Sequence, residues 1–307
     1  MSAVRAATTD ILRISHSSAN TFKGCQRKYF HQKVAKTRWD PDYQDNAAPL
    51  RIGSAFHLVL EMIEFNSELL TNHIFGRAFE AEDVDSVTER MMIRAMIKKY
   101  LKLYNKCGLK VIAVEVEIST DDFVGYVDSV MVDRFQNWWI IDLKTAARLD
   151  GSLLSRLARD QQLNLYAFYV PFIAEKLGLD PEMFAGCRFH ITTKCQIKLN
   201  KKEKEHDFYL RCYEKVESFD IGIPKKDLAP EDTHDRVMKI LTEVRKMPGM
   251  DINLVPQSFN NCFDFFKPCP YFSNCHNGKT FTAAADHFNI YNSDTIVDLG
   301  FDDLELL

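Results

Sequence analysis

Three consecutive segments, 109–119, 123–133 and 138–146, constrain this chain more than any other feature. "LKVIAVEVEIS" alternates apolar and polar residues, "FVGYVDSVMVD" follows after the turn "TDD", and "WWIIDLKTA" follows after "RFQN". Alternation of this period belongs to strands, so the segments predict a β-meander. The third segment poses a physical problem. Four large apolar residues, Trp138 to Ile141, run straight into Asp142, Leu143 and Lys144. A carboxylate and an ammonium at the end of a buried strand are costly unless something pairs with them.

Helical patterns flank the meander. A helix is expected from about Ser17 to Val34, capped by Ser17 or Ser18. A loop is expected over 37–50, which holds Pro41 and Pro49, and helices over 51–65 and 86–106. After the meander, 152–178 is strongly helical, with Pro171 placed to kink it. Segments 186–199 and 207–218 suggest two further strands and 231–247 a helix, while 248–279 is rich in Pro, Asn and Cys. The expected fold is therefore α/β, a mixed central sheet flanked by helices. Its parts are an N-terminal helical region over 1–108, a core over 109–220, a C-terminal helix and cysteine segment over 221–280, and an acidic tail over 281–307. No stretch is apolar enough to span a bilayer. The N-terminus lacks the pattern of a signal peptide, which predicts a cytoplasmic protein. The net charge of −4 does not advertise nucleic-acid binding, although a local basic groove would suffice.

Residues two apart on a strand face the same way, so Asp142 and Lys144 share a face. Asp128 on the preceding strand is placed to lie beside Asp142 across the ladder. Two adjacent carboxylates repel, and a divalent cation resolves the repulsion. Gly125 would leave room for something bulky to approach the sheet. A bound dication with a nearby Lys is a device for phosphodiester hydrolysis. Taken alone, "DLK" would be no more than an ion pair at a strand end. His57, alone among apolar neighbours, would be an ordinary core histidine.

Four short motifs occur in a telling order: "GSAFH" at 53–57, "GYVD" at 125–128, "DLK" at 142–144 and "QLNLY" at 162–166. This order and spacing resemble the PD-(D/E)XK nuclease superfamily, in its RecB-like branch with a restriction-endonuclease-like core. The resemblance runs from about residue 12 to 277. It implies that His57, Asp128, Asp142 and the backbone carbonyl of Leu143 hold Mn²⁺ or Mg²⁺, and that Lys144 is the catalytic lysine. It also implies that Gln162 and Tyr166, one helical turn apart, support the metal site and the DNA strand. Glu115 or Glu117 would be an additional acidic residue, the choice left open. A histidine ligand favours Mn²⁺ over Mg²⁺.

Cysteine usage adds a second centre. Cys107, Cys187, Cys195 and Cys212 are scattered and suit packing. Cys262, Cys269 and Cys275 crowd a short aromatic, Pro-containing stretch, which is a ligand pattern, with Cys25 the obvious fourth. The arrangement is similar to the iron–sulfur members of the RecB-like branch, the CRISPR-adaptation and AddB-type exonucleases, and by that resemblance implies a [4Fe–4S] cluster. Zn²⁺ on the same four thiolates is the alternative, and His276, next to Cys275, is an alternative ligand. Such a cluster would staple distant parts of the chain.

Lys23, Arg27, Lys28 and Lys33 with Tyr29 and Phe30 suit a single strand, as does the run 192–204, which also suits a solvated hairpin tip. The tail is acidic and carries Phe301, Leu304 and Leu307, either a partner-docking peptide or a short packed helix. The expected function is a metal-dependent single-strand DNA exonuclease in DNA repair, recombination or phage DNA processing. The expected partners are DNA and a helicase, single-strand-binding or recombination protein. The alternatives are a non-catalytic DNA-binding or scaffold subunit that keeps the fold, and a zinc-stabilised interaction domain.

Overall fold

The structure is a computed structural model and describes residues 13–38, 48–157, 160–264 and 267–275. The elements in order are α1 (His16–Gly24), α2 (Gln26–Tyr29), a π-helical turn (Phe30–Val34), α3 (Ala48–Met62), α4 (Asn72–Ala81), α5 (Val87–Cys107), β1 (Lys110–Ser119), β2 (Val124–Val132), β3 (Trp138–Ala146), α6 (Gly151–Leu157), α7 (Gln161–Phe168), α8 (Val170–Leu177), β4 (Phe184–Thr193), α9 (Glu205–Lys215), β5 (Ser218–Pro224), α10 (Pro230–Val244), the two-residue strands β6 (Phe263–Asp264) and β7 (Lys267–Pro268), and α11 (Phe272–Cys275). The described residues form two compact units, one drawn from 13–16 and 48–242, the other from 17–38 and 243–275.

In the larger unit a five-stranded sheet runs in the order β1-β2-β3-β4-β5. The meander is antiparallel through β1, β2 and β3, β4 joins β3 in parallel, and β5 closes the far edge antiparallel to β4. A parallel neighbour needs a crossover, which α6, α7 and α8 supply. The expected mixed sheet flanked by helices is what the chain forms. One face of the sheet, with Met131, Ile141 and Leu143, packs under α3, α5 and α9, where Phe56, Ile93, Tyr100 and Phe208 are fully buried. Ser86 caps α5 by accepting the Glu89 amide, and Gly108, at φ +69°, ends it in the left-handed conformation that glycine adopts without strain. Arg51 on α3 grips Glu89 on α5 through two hydrogen bonds of 3.1 and 2.9 Å.

Several expectations need correction. Residues 207–218 were expected as a strand, but 205–215 are the helix α9: Phe208 and Cys212 are buried one turn apart, and Tyr209 and Tyr213 repeat that spacing. The real last strand of the five-stranded sheet, "SFDIGIP", is a half-exposed edge without a buried alternating run. The run 192–204 ends β4 and then loops to α9, so it is no hairpin tip. The kink expected at Pro171 is a complete break: Tyr169 ends α7, and Pro171 sits in the first turn of α8, where its missing N–H costs nothing. The expected helix over 17–34 breaks at Cys25, whose backbone is extended (φ −159°, ψ 113°) and whose Sγ accepts the Lys28 amide.

In the smaller unit Arg27 is a staple. Its guanidinium donates to the carbonyls of Val255 (2.8 Å) and Asn253 (3.3 Å) and to Gln257 Oε1 (3.0 Å). Tyr29 and Phe30 are buried. The single-strand surface expected around Cys25 therefore loses its aromatics to the interior and its Arg27 to backbone carbonyls. Residues 39–47, His276 and the acidic tail lie outside the described residues. Among the described residues no helix is long and apolar enough to cross a membrane.

Candidate active site

The ladder between β2 and β3 stops at the pair Ser129–Ile141. Carrying the register one step further sets Asp128 opposite Asp142, where the strands fork. The fork has a local cause. Asp128 Oδ2 accepts the Leu143 amide at 2.6 Å, so a side chain takes a hydrogen bond that a ladder would otherwise use. Both carboxylates thus sit on one face at the point of divergence. Asp142 is only 2% exposed.

Lys144 completes the strand's polar face. Its Nζ lies 2.9 Å from Asp142 Oδ2 and donates to Asp142 Oδ1 at 3.1 Å and to Gln162 Oε1 at 3.0 Å. Gln162 in turn donates to the Tyr166 hydroxyl at 3.0 Å. The Lys–Gln–Tyr chain works because Gln162 and Tyr166 are one turn apart on α7, a helix capped by Asp160. Asp160 was not singled out in the sequence, although an Asp just before "QQLNLY" is a readable cap signal. The room expected at Gly125 is filled from within. A Cβ there would stand 2.9 Å from the Phe123 ring and 3.0 Å from the Tyr166 ring, so this glycine lets Tyr166 seat against β2.

His57 arrives from α3. At Gly53 that helix approaches β3 so closely that a Cβ would lie 3.1 Å from Thr145 Oγ1. One turn later His57 Nδ1 lies 3.8 Å from Asp128 Oδ1, and a hydrogen bond to the Leu143 backbone also holds the ring. Burial lowers the imidazole pKa, which leaves a neutral ring with a lone pair at neutral pH. Between Glu115 and Glu117 the structure discriminates. Glu117 turns to the exposed Tyr126 hydroxyl at 3.2 Å. Glu115 lies opposite Asp128 by register and feels its charge. Its φ of +46° is left-handed, a strain of about 1–3 kcal/mol for a non-glycine residue and one that gathers at functional sites. A groove of about 500 Å³ beside these groups is lined by Gly53, His57, Glu61, Glu115, Thr145 and Lys194. Lys194 was expected only as part of the basic run 192–204, and Thr145 carried no signal of its own.

The electrostatics define an unmet demand for positive charge. Burial raises Asp128 and Asp142 well above the usual carboxylate range, against the pull of Lys144 on both and of the Leu143 amide on Asp128. Glu115 is pushed up to about 7, first by burial, then by Asp128 and Glu61. Asp142 Oδ2 is buried and accepts no hydrogen bond, although Lys144 is near. As the side chains stand, no three His, Cys, Asp or Glu residues among those described are gathered to hold a metal. Lys144 engages Asp142 and the Leu143 amide engages Asp128. The donor set itself, two carboxylates, a neutral imidazole and a strand carbonyl, fits a hard or borderline dication.

A pH dependence follows. Glu115 ionises near 4.5 when unfolded and near 7 when folded, so between those values the native state holds a proton that the unfolded chain has released. Without metal its contribution is fully present below about pH 4.5 and is lost as pH rises through 7. Asp128 and Asp142 add in the same direction. The melting temperature of the metal-free protein should fall by several degrees from pH 5 to 7.5. Added Mn²⁺ should restore it most at the upper end, where the ligands are ionised. Differential scanning fluorimetry with and without EDTA measures both.

All four cysteines proposed as ligands lie in the smaller unit, where, as elsewhere among the described residues, no three candidate ligands are gathered around a metal position. Burial raises the Cys269 and Cys275 thiols, Cys275 to about 12, and both feel Cys25 and Cys262. The Cys269 amide donates to the Cys262 carbonyl at 2.7 Å, closing the loop between them. His31, a neighbour that sequence reasoning missed, stacks on Tyr271 and places Nε2 3.7 Å from Cys275 Sγ. Cys187, Cys195 and Cys212 are buried in the larger unit and Cys107 is half-buried, as packing residues would be.

A model of the PD-(D/E)XK nuclease superfamily matches residues 13–276. No curated protein matches the chain.

Proposed function

The chain belongs to the PD-(D/E)XK nuclease superfamily, and from that premise we propose that it is a deoxyribonuclease that degrades single-stranded DNA from its ends, in repair, recombination or phage DNA processing. Enzymes of this superfamily hydrolyse phosphodiester bonds with Mg²⁺ or Mn²⁺. Residues 109–220 carry the nuclease core in this reading and 221–280 its C-terminal helix and cluster segment. The observation that carries it is the fork, with two carboxylates in register on one face and Lys144 against one of them.

His57, Asp128, Asp142 and the Leu143 carbonyl would hold the dication, with Glu115 beside them. When bound, it supplies Lewis-acid polarisation of a phosphoryl oxygen and a water of lowered pKa. Lys144, held by Asp142 and Gln162, orients the attacking water and stabilises charge developing on the phosphoryl oxygens. As water forms its bond to phosphorus, the bond to the leaving oxygen breaks. Gln162 holds Lys144 in line, and Tyr166 anchors Gln162. Cys25, Cys262, Cys269 and Cys275 hold a [4Fe–4S] cluster in this reading, with Zn²⁺ the other occupant their chemistry admits.

End-labelled single- and double-stranded DNA and closed single-stranded circles, incubated with Mn²⁺, Mg²⁺ or EDTA, test the proposal. The expected result is loss of label from linear single strands, faster in Mn²⁺ than in Mg²⁺, with circles spared and EDTA blocking. Cleaved circles would refute the exonuclease assignment, and inert linear DNA in every metal would refute the activity.

A further inference from the structure

The outer face of α5 carries a basic stripe with no part in the site above. Arg94, Lys98, Lys102 and Lys106 recur every fourth residue, so they align along one side of the helix. Each step rises about 6 Å, so the stripe is about 18 Å long. Lys98, Lys102 and Lys106 are exposed, and among the described residues none forms an ion pair with a carboxylate. Glu205 is the acidic residue at the Arg94 end of the groove.

Beside the stripe, α9 presents an aromatic ladder. His206 lies against Tyr209 at 6.3 Å between centroids, and Tyr209 against Tyr213 at 6.4 Å, with planes within 26° and 25°. Both tyrosines are half-buried, so their rings are fixed while part of each stays open to solvent. Arg94 stacks over Phe75 at 4.3 Å, and Lys99 over Tyr213 at 4.7 Å. Two adjoining hollows, about 440 and 320 Å³, run between stripe and ladder, and both are lined by Lys98 and Leu70. The result is a groove with cations on one wall and ring faces on the other.

We propose that this α5–α9 groove binds a single-stranded polynucleotide of about three or four nucleotides, its phosphates along Lys98, Lys102 and Lys106 and its bases on Tyr209 and Tyr213. Evenly spaced cations match a phosphate chain, and ring faces match unpaired bases, whereas a duplex hides its base faces. An acidic peptide would use the cations and leave the rings idle. The groove would hold substrate strand outside the catalytic fork. It rests on the nuclease reading only in taking the occupant to be substrate.

The test is fluorescence anisotropy with a labelled 30-nucleotide single strand, in EDTA, on the full chain. The triple variant Lys98→Gln/Lys102→Gln/Lys106→Gln should bind at least about tenfold more weakly, and its log affinity should fall less steeply with log salt by about 2, the slope carried by three phosphates. Tyr209→Leu should weaken binding about tenfold and leave the slope unchanged, since stacking releases no counterions. Native affinity and slope in the triple variant would overturn the proposal. So would polyglutamate competing as well as the oligonucleotide, or an equal loss for blunt duplex. Weakened binding in a protein that cleaves nothing would keep the groove and fell the nuclease reading.

Discussion

Asp142→Ala is expected to slow DNA cleavage by about 10³-fold or more, the range for removing a preorganised electrostatic group from a reaction centre. The loss has two sources. The carboxylate is a proposed dication ligand, and it is also the ion-pair partner that sets Lys144, 2.9 Å away. Asp142→Asn preserves shape and hydrogen bonding to Lys144 but removes the charge. It should be nearly as inactive, which separates charge from geometry. Single-strand affinity should persist in both variants. In EDTA at pH 7.5 the Asn variant should melt no lower than the parent, because a buried carboxylate raised by desolvation costs stability once ionised. Cleavage assays with binding and melting controls measure this. Unchanged cleavage in Asp142→Asn would point to a scaffold that keeps the fold without the chemistry.

The second large effect concerns the cysteines. Cys25→Ala is expected to strip the cluster metal and to melt the smaller unit at least 10 °C lower. Structural metal ligation of this kind is worth on the order of 10 kcal/mol. In the proposed cluster it would join residues 25 and 262, more than two hundred positions apart, where closure entropy is large. Beyond the cysteines the unit has short elements to rely on: nearly all of the nine-residue α1, the five-residue π-helical turn, the four-residue α2 and α11, and two-residue strands. Calorimetry reads the melting. Absorption near 400 nm with metal analysis tells iron–sulfur from zinc. A metal-free native protein whose Cys25→Ala variant melts normally would remove the cluster from the account.

Much of the geometry of the candidate site was legible before the coordinates, for a physical reason. Strand alternation is strict, so two-residue spacing fixes which side chains share a face, and the turns "TDD" and "RFQN" bounded β1, β2 and β3 to within a residue or two. That period put Asp142 and Lys144 on one face with Asp128 beside them, and the helical one put Gln162 and Tyr166 on a shared face, while the family resemblance singled out that pair. The fork was not legible. It depends on Asp128 taking the Leu143 amide, a choice between two partners that no pattern of polarity encodes. Nor was the choice of Glu115 over Glu117, which turns on one left-handed backbone angle. The segment 207–218 misled because "DFYLRCY" fits both periods over a few residues, and burial of Phe208 and Cys212 together decides for the helix. Gly125 was read as a gap for a ligand because sequence shows a missing Cβ but not that the Tyr166 ring fills it.

The central claim is that the repelling carboxylates at the end of the β2–β3 ladder share one dication. Crystals soaked in Mn²⁺ and measured at the manganese edge test it most directly. The account predicts an anomalous peak within coordination distance of Asp128 and Asp142, with His57 and the Leu143 carbonyl at its margin, and no such peak in Asp142→Asn. Saturating Mn²⁺ with no peak at that position, or a peak that survives the substitution, would contradict it.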